Sequence, residues 1–489
     1  MQQRPSSYRR PMSRRAYEAM RRRQRQNRIA IAIIACLAVA VIAAVILILR
    51  PKGAPDPAAA VVADAAAAPQ ATAEALPAAE DAPQEEPAVP EAEDALEADA
   101  ADQPSEAVDQ LPDEEGDDAL DETVVSEPLV TPAPAVETVQ RPDGALRSVR
   151  MRVVGDIMMC QSQLVYAKNS GYDFHNQFAL IADVLQNADY TMGNMEGTVG
   201  RYGKKAYSGY PLFNCPDVVL QTLKDDGIDF LTLANNHMLD RWFDGMKNTV
   251  NWVEQYGFDH VGAYRTPEER NSPVIYEIGG IKFGFVAYTH TTNTQERVCD
   301  PEGVKYGVPY LYKADIEGDI QRLRDAGAEV VIAFPHWGDE YRRTPDSTQK
   351  KYARRLAKAG ADIILGSHSH VVQPMGFQTV TDPDGRERKV FTMFSLGNFI
   401  SDHVTQYTDN GIVVDFTINE NPDGTFTCDN VGYIPTYTWK QDGAITVLPS
   451  GRYLDQRPSG MNKSNYKRMV ESYREIVEII GSDFQPISG

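Results

Sequence analysis

The sequence predicts an α/β domain of two β-sheets packed face to face and covered by helices, carried behind a membrane-crossing segment and an acidic linker. Three observations lead there. Strand and helix patterns alternate from Ser148 to about residue 370 and then give way to strands, as suits two sheets with helices outside. Five apolar runs each end in side chains able to bind a ligand, as strands do at the C-terminal edge of an open α/β sheet. An uncharged run and a long acidic, aromatic-free stretch precede all of this.

Residues 1–28 form a basic tail with ten Arg and a single acid, Glu18. Residues 29–49 contain no charge and no proline, and Arg28 and Arg50 bound them. As a helix these residues would span roughly 32 Å, enough for a hydrocarbon core of ~30 Å. Positive charge ahead of the run keeps the N-terminus cytoplasmic, so a single-pass protein of the cell membrane with an extracytoplasmic C-terminal domain is expected. The run exceeds an ordinary signal-peptide core, which favours an uncleaved signal-anchor; the Ala-rich sequence behind it leaves a cleaved signal open.

Residues 50–145 form the linker. From 51 to 145 it holds 25 acids against two bases, Lys52 and Arg141, and so accounts for the whole formal net charge of −21. Such a segment cannot bury enough apolar surface to offset its ordering entropy, and disorder is expected. As a flexible coil it would span about 50–60 Å, more with charge repulsion, which suits a spacer into a cell-wall layer.

The folded domain is expected over 146–450, with a helical extension over 451–489. Val149–Val154 reads as the entering strand, alternating charged and apolar before turning wholly apolar. Helical spacing runs over Phe178–Ala188, over Asp217–Asp226 before Gly227, and over Phe243–Tyr256 before Gly257. Ile275–Ile278 and Ile281–Ala287 flank Gly279-Gly280 as a hairpin. Ala314–Ala326 and Ser347–Ala359 read as helices, Glu329–Phe334 and Asp362–Leu365 as strands. Strands then follow at Val390–Phe394, Ile412–Ile418 and Thr425–Val431, with Pro-Asp-Gly turns at 383–385 and 422–424 and a last helix over Ser464–Ile480. Of five cysteines, Cys36 lies in the apolar run and the others lack C-x-x-C spacing, which argues against a zinc ribbon or thioredoxin-like site. Small buried thiols, or one or two disulfides outside the cytoplasm, both fit.

The polar strand ends carry the chemistry. They are Val153-Val-Gly-Asp156, Met192-Gly-Asn-Met-Glu196, Leu231-Thr-Leu-Ala-Asn235-Asn236-His237, Val330-Val-Ile-Ala-Phe-Pro-His336 and Ile363-Ile-Leu-Gly-Ser-His368-Ser-His370. In an extended segment residues i and i+2 face one side, so His368 and His370 are expected to reach one site together. A carboxylate, amide and imidazole set without thiolate suits one or two divalent ions of Mn, Fe or Zn. Two such ions about 4 Å apart activate water and stabilise charge on a phosphoryl oxygen.

The ordered motifs, with His336-Trp-Gly and Ser395-Leu-Gly-Asn398-Phe added, resemble the CapA family over about residues 149–405. This is a bacterial capsule-synthesis group implicated in poly-γ-glutamate production, with a metallophosphoesterase-like αββα fold. The resemblance implies Asp156 as an aspartate of the first metal, Glu196 as the bridging carboxylate and Asn236 as a metal-binding amide. It implies His336 and His368 for the second metal, His370 for the first, and His237 as the charge-stabilising or acid catalyst. The wider calcineurin-like pattern has a histidine two residues after the first aspartate; Met158 stands there, so the first site has one ligand fewer. Asn235, Glu340 and Asn398 are candidate supporting or substrate-facing groups. Glu340, four residues after His336, would fix its tautomer, or else pair at the surface with Arg342 or Arg343.

Two functions stay open: a metal-dependent hydrolase of a phosphoester or envelope polymer, and a non-catalytic polymer-binding subunit of synthesis or export. The expected partners are an envelope polymer such as poly-γ-glutamate, the membrane through residues 29–49, and polymer synthase or export subunits, with no nucleic acid. The orientation is checked by adding protease to intact protoplasts. The domain after residue 146 is removed and the tail spared; protection of the domain reverses the topology.

Overall fold

Alternating charge and apolarity over Ser148–Val154 makes a strand with two differently destined faces. In the computed structural model, which describes residues 145–200, 207–382 and 385–489, Val149, Met151 and Val153 enter one core. Arg150 and Arg152 lie on the other face and both bind the Asp415 carboxylate, at 2.7 and 2.6 Å. The expected tail, membrane segment and linker, and the first two residues of the 383–385 turn, lie outside the described residues. Among the described residues no helix is long and apolar enough to cross a membrane.

The chain first builds β1 (Ser148–Met158), β2 (Tyr190–Glu196), the short pair β3 (Thr198–Val199) and β4 (Asn214–Cys215), then β5 (Phe230–Thr232) and β6 (Asp259–Val261). It crosses to a second sheet for β7 (Val274–Ile278), β8 (Ile281–Thr289), β9 (Val330–His336), β10 (Ile363–Leu365), β11 (Met375–Thr381) and β12 (Glu387–Met393). It then returns for β13 (Asn398–Ile400), β14 (Asn410–Glu420), β15 (Phe426–Gln441), β16 (Ala444–Pro449) and β17 (Gln485–Pro486). Among the described residues the first sheet runs β16-β15-β14-β1-β2-β5-β6, with β13 beside β1 and β17 beside β15; the second runs β11-β12-β10-β9-β8-β7. β1, β2, β5 and β6 are mutually parallel, as are β8, β9, β10 and β12.

Three apolar clusters separate four layers. Between the sheets, Met151, Met192 and Phe230 pack with Phe283, Phe285 and Phe334, the Phe230 and Phe285 rings 4.6 Å apart. Outside the first sheet, helices Val218–Asp225 and Trp242–Gln255 bury Leu223, Val250 and Val253 against Val154, Ile157 and Leu231. Outside the second, helices Ile316–Asp325 and Ser347–Ala359 bury Ile320, Leu323 and Leu356 against Val331 and Ile364. The C-terminal helix Lys463–Ile480 adds Ile476 and Ile480 to the core between the sheets.

Some elements differ from the sequence pattern. The helix expected over Phe178–Ala188 is two short turns, His175–Phe178 and Ala182–Gln186, neither closed by a capping side chain. The strand expected over Thr425–Val431 runs on to Gln441, because Gly432 to Thr438 are buried throughout by β14, β16 and the terminal helix. Helix Gln161–Lys168 and strand Asp259–Val261 were not legible from pattern, the first lacking an apolar stripe and the second being three residues with two polar. The four cysteines among the described residues are unpaired.

One close approach fixes how β13 meets β1. The Asp156 amide donates to the Gly397 carbonyl at 3.1 Å, and a Cβ on Gly155 would lie 1.9 Å from that same oxygen. Gly155→Ala therefore forces β13 away from β1. It should lower stability by about 1–3 kcal/mol, read from denaturant melts of wild type and variant.

Candidate metal centre

The parallel strands of both sheets end at one edge, and that edge collects the donors. β1 delivers Asp156, which pairs in register with Asn194 on one side and Asn398 on the other. β2 closes on Glu196, and β5 is followed by Asn235, Asn236 and His237. From the facing sheet β9 ends at His336 and β10 leads into His368 and His370.

Two donor groups share one carboxylate. Asp156, Glu196 and His370 are buried, with ligand atoms all within 4.8 Å of one another. Around His336 Nε2 lie Asn236 Oδ1 at 2.9 Å and His368 Nδ1 at 3.1 Å. Glu196 Oε1 stands between the groups, 3.8 Å from His370 Nε2 and 3.9 Å from His336 Nε2. Neither Glu196 oxygen accepts a hydrogen bond, although both are shielded from solvent, and Asp156 Oδ2 faces His370 Nδ1 at 3.2 Å. Buried carboxylate oxygens without donors call for a cation.

The electrostatics carry the same message. Burial, then the Asp156 charge, push the Glu196 carboxyl well above the usual carboxylate range. Burial disfavours a charged His370, yet the Glu196 and Asp156 carboxylates raise it to about 10. His336 and His368 go the other way, held neutral by burial and by neighbouring imidazoles. Protons thus neutralise the cluster in the metal-free protein, and an ion must displace them.

Ring nitrogens in both groups have further partners. His370 Nδ1 lies 3.0 Å from Asn398 Oδ1, and His336 Nδ1 lies 2.8 Å from Ser367 Oγ. Ser367 thus takes the role considered for Glu340, which is exposed. Asn194 donates to Asp156 Oδ1 at 2.7 Å. Asn235 donates to the Met195 carbonyl at 2.8 Å and accepts from the His237 amide at 3.2 Å, so it ties β2 to the turn. Met158 packs in a small cluster with Cys160 and Phe213.

The expectation of an extended His368-Ser369-His370 is corrected. Both histidines hold left-handed backbone, at φ 95° and 57°, in a bend rather than a strand. The bend lets His368 face His336 while His370 faces Asp156. Such conformations cost on the order of 1–3 kcal/mol each and persist at functional sites.

His237 stands apart from both groups. Its Nδ1 lies 2.8 Å from Asp240 Oδ2, which also accepts the Phe213 amide at 2.6 Å. Its Nε2 faces Asn293 Nδ2 at 3.4 Å, and Phe213 meets the ring edge-on at 4.6 Å. Asp240, Ser367 and Asn293 were missed from sequence. Only Asp240 left a trace there, as an acid three residues after a histidine.

Residues 150–403, just over half of the chain, match the family model described as bacterial capsule synthesis protein PGA_cap. The capsule biosynthesis protein CapA of Bacillus anthracis is 28% identical over 292 residues, covering 58% of this chain and 66% of that protein. The PGA biosynthesis protein CapA of Bacillus subtilis (strain 168) is 29% identical over 278 residues, covering 56% and 68%. The chain thus spans about two thirds of the length of these curated relatives. Among solved structures, the NAD nucleotidase NadN of Haemophilus influenzae aligns with a TM-score of 0.36 and 11% identity, covering 70% of this chain and 65% of that one. The calcineurin-like phosphoesterase YfkN of Bacillus subtilis aligns at 0.34 and 15%, covering 68% and 99%.

Replacing both His368 and His370 by Ala should abolish binding of Zn²⁺ or Mn²⁺ by the full-length protein, measured by titration calorimetry. Because the Glu196 and Asp156 carboxylates raise His370 to about 10, wild-type binding should release about one proton or more at pH 7. The binding heat then varies with buffer ionisation enthalpy, and affinity rises from pH 6 to 9. Buffer-independent heat would contradict the proton count.

Proposed function

Because the chain belongs to the bacterial capsule synthesis family PGA_cap, we propose that it acts in capsule or poly-γ-glutamate biosynthesis as a metal-dependent hydrolase of a phosphoester or of the envelope polymer. The observation that carries this is Glu196 Oε1, shielded, unpartnered and placed between two donor groups. Asp156, Glu196 and His370 would hold one ion, and Glu196, Asn236, His336 and His368 a second. The donor chemistry suits Mn, Fe or Zn. When bound, such ions supply Lewis-acid polarisation of the substrate oxygen and an activated water.

The chain's own residues supply the proton handling. Asp240 engages His237 Nδ1 and leaves Nε2 as the nitrogen that exchanges a proton with the substrate. Phe213 packed on the imidazole and its amide bound to Asp240 hold the ring in one orientation. Burial of the donors keeps bulk water from competing with the reacting oxygen. Residues 29–49 would anchor the protein in the cell membrane and the acidic linker would carry the domain outward. There it would meet an envelope polymer such as poly-γ-glutamate and subunits of its synthase or exporter.

A second reading has one observation in its favour. Met158 is buried beside Glu196 in register and adds no nitrogen or oxygen donor to the first group. A site short of ligands suits a tethered domain that binds polymer without turnover. His237→Gln separates the two. Under the hydrolase reading the variant keeps its metal and loses at least about a hundredfold in turnover of a generic phosphodiester with Mn²⁺. Normal polymer levels in cells carrying the variant, with no hydrolysis by wild type, would leave the binding role standing.

A further inference from the structure

Three protein donors leave an ion at Asp156, Glu196 and His370 with at least one coordination position open, which a further side chain or a water can take. Met158 lies beside Glu196 but offers a thioether, a soft donor that Mn, Fe and Zn seldom select. We propose that His403 supplies the missing donor, an inference that rests on the metal-centre reading above.

The loop after β13 is tied to the cluster itself. Asn398, whose Oδ1 meets His370 Nδ1 at 3.0 Å, donates from Nδ2 to Ser401 Oγ at 3.0 Å. The Ser401 hydroxyl in turn accepts the His403 amide at 3.4 Å, and the Lys440 ammonium donates to the His403 carbonyl. The His403 backbone is therefore held on both sides, in a position set by the same Asn398 that orients His370.

Its side chain then stands beside the donor group. The His403 ring lies 4.8 Å from the His370 ring, centroid to centroid, at 86°. Tyr341 flanks both imidazoles, 6.2 Å from one ring and 6.1 Å from the other. His403 Nδ1 is shielded from solvent and has no hydrogen-bond partner. A shielded ring nitrogen without a partner is rare, because its desolvation goes uncompensated. In the metal-free arrangement His403 is one ring outside the 4.8 Å donor group, so ligation requires a turn of the side chain with the backbone left in place.

His403→Phe keeps a ring against His370 and removes both nitrogens. Full-length wild type, His403→Phe and His370→Ala are compared for Zn²⁺ affinity by chelator competition and for the visible absorption of bound Co²⁺, which reports coordination number. The expected result is at least about a tenfold loss of affinity at one site in His403→Phe, with a changed Co²⁺ spectrum. His370→Ala loses more. Wild-type affinity and spectrum in His403→Phe, with His370→Ala impaired, overturn the His403 assignment and leave the metal centre intact. Unimpaired binding in both variants overturns the metal centre itself, and His403 with it. Should the Phe variant not fold, judged by its thermal melt, His403→Leu, which also has no donor atom, is held to the same two outcomes.

Discussion

Glu196 carries a carboxylate whose two oxygens find no hydrogen-bond donor in a site closed to water. An isolated buried charge of this kind costs several kcal/mol unless something neutralises it. Much of the surrounding structure answers that cost. His370 approaches one side with a raised proton affinity, and His336 the other with a lowered one, so the two flanks differ in what they hold before any ion arrives. The asymmetry follows from position: His370 faces both Asp156 and Glu196, while His336 faces mainly other imidazoles and an amide.

Bringing these groups together depends on the core between the sheets. Phe230 at the start of β5 packs on Phe285 and Phe334 of the opposing sheet, with ring centroids 4.6 and 5.6 Å apart. That contact holds the two parallel strand sets face to face, so that β1, β2 and β5 end beside β9 and β10. The carboxylates and the Asn235–His237 turn belong to the first sheet, and the imidazoles of His336, His368 and His370 to the second. Neither sheet alone assembles a donor group.

Beyond the donors, the structure spends polar side chains on orientation. Ser367 and Asn398 bind the far nitrogens of His336 and His370, and Asp240 does so for His237. Contacts of this kind fix the orientation of each ring. Ser367 follows β10, and Asn398 opens β13 beside Asp156 in register. The left-handed His368 and His370 add rigidity of another kind, since a bend this unfavourable is held only by its surroundings.

Sequence by itself determined the strand ends, because a buried strand that stops in Asp, Glu, Asn or His has few other uses, and it determined most helices, whose apolar stripes and terminal Gly residues are local signals. Gly279-Gly280 marked its hairpin for the same reason. Tertiary structure decided what depends on residues distant in the chain. Ser367 rather than Glu340 beside His336, and Asn293 opposite His237, are separations that pattern cannot measure. The bend at His368–His370 differs from the extended reading because a His-x-His pair looks the same in either backbone; the structure turns His368 to His336 and His370 to Asp156. His403 was invisible for the parallel reason that its meaning lies in the ring it touches, and that ring is thirty-three residues away.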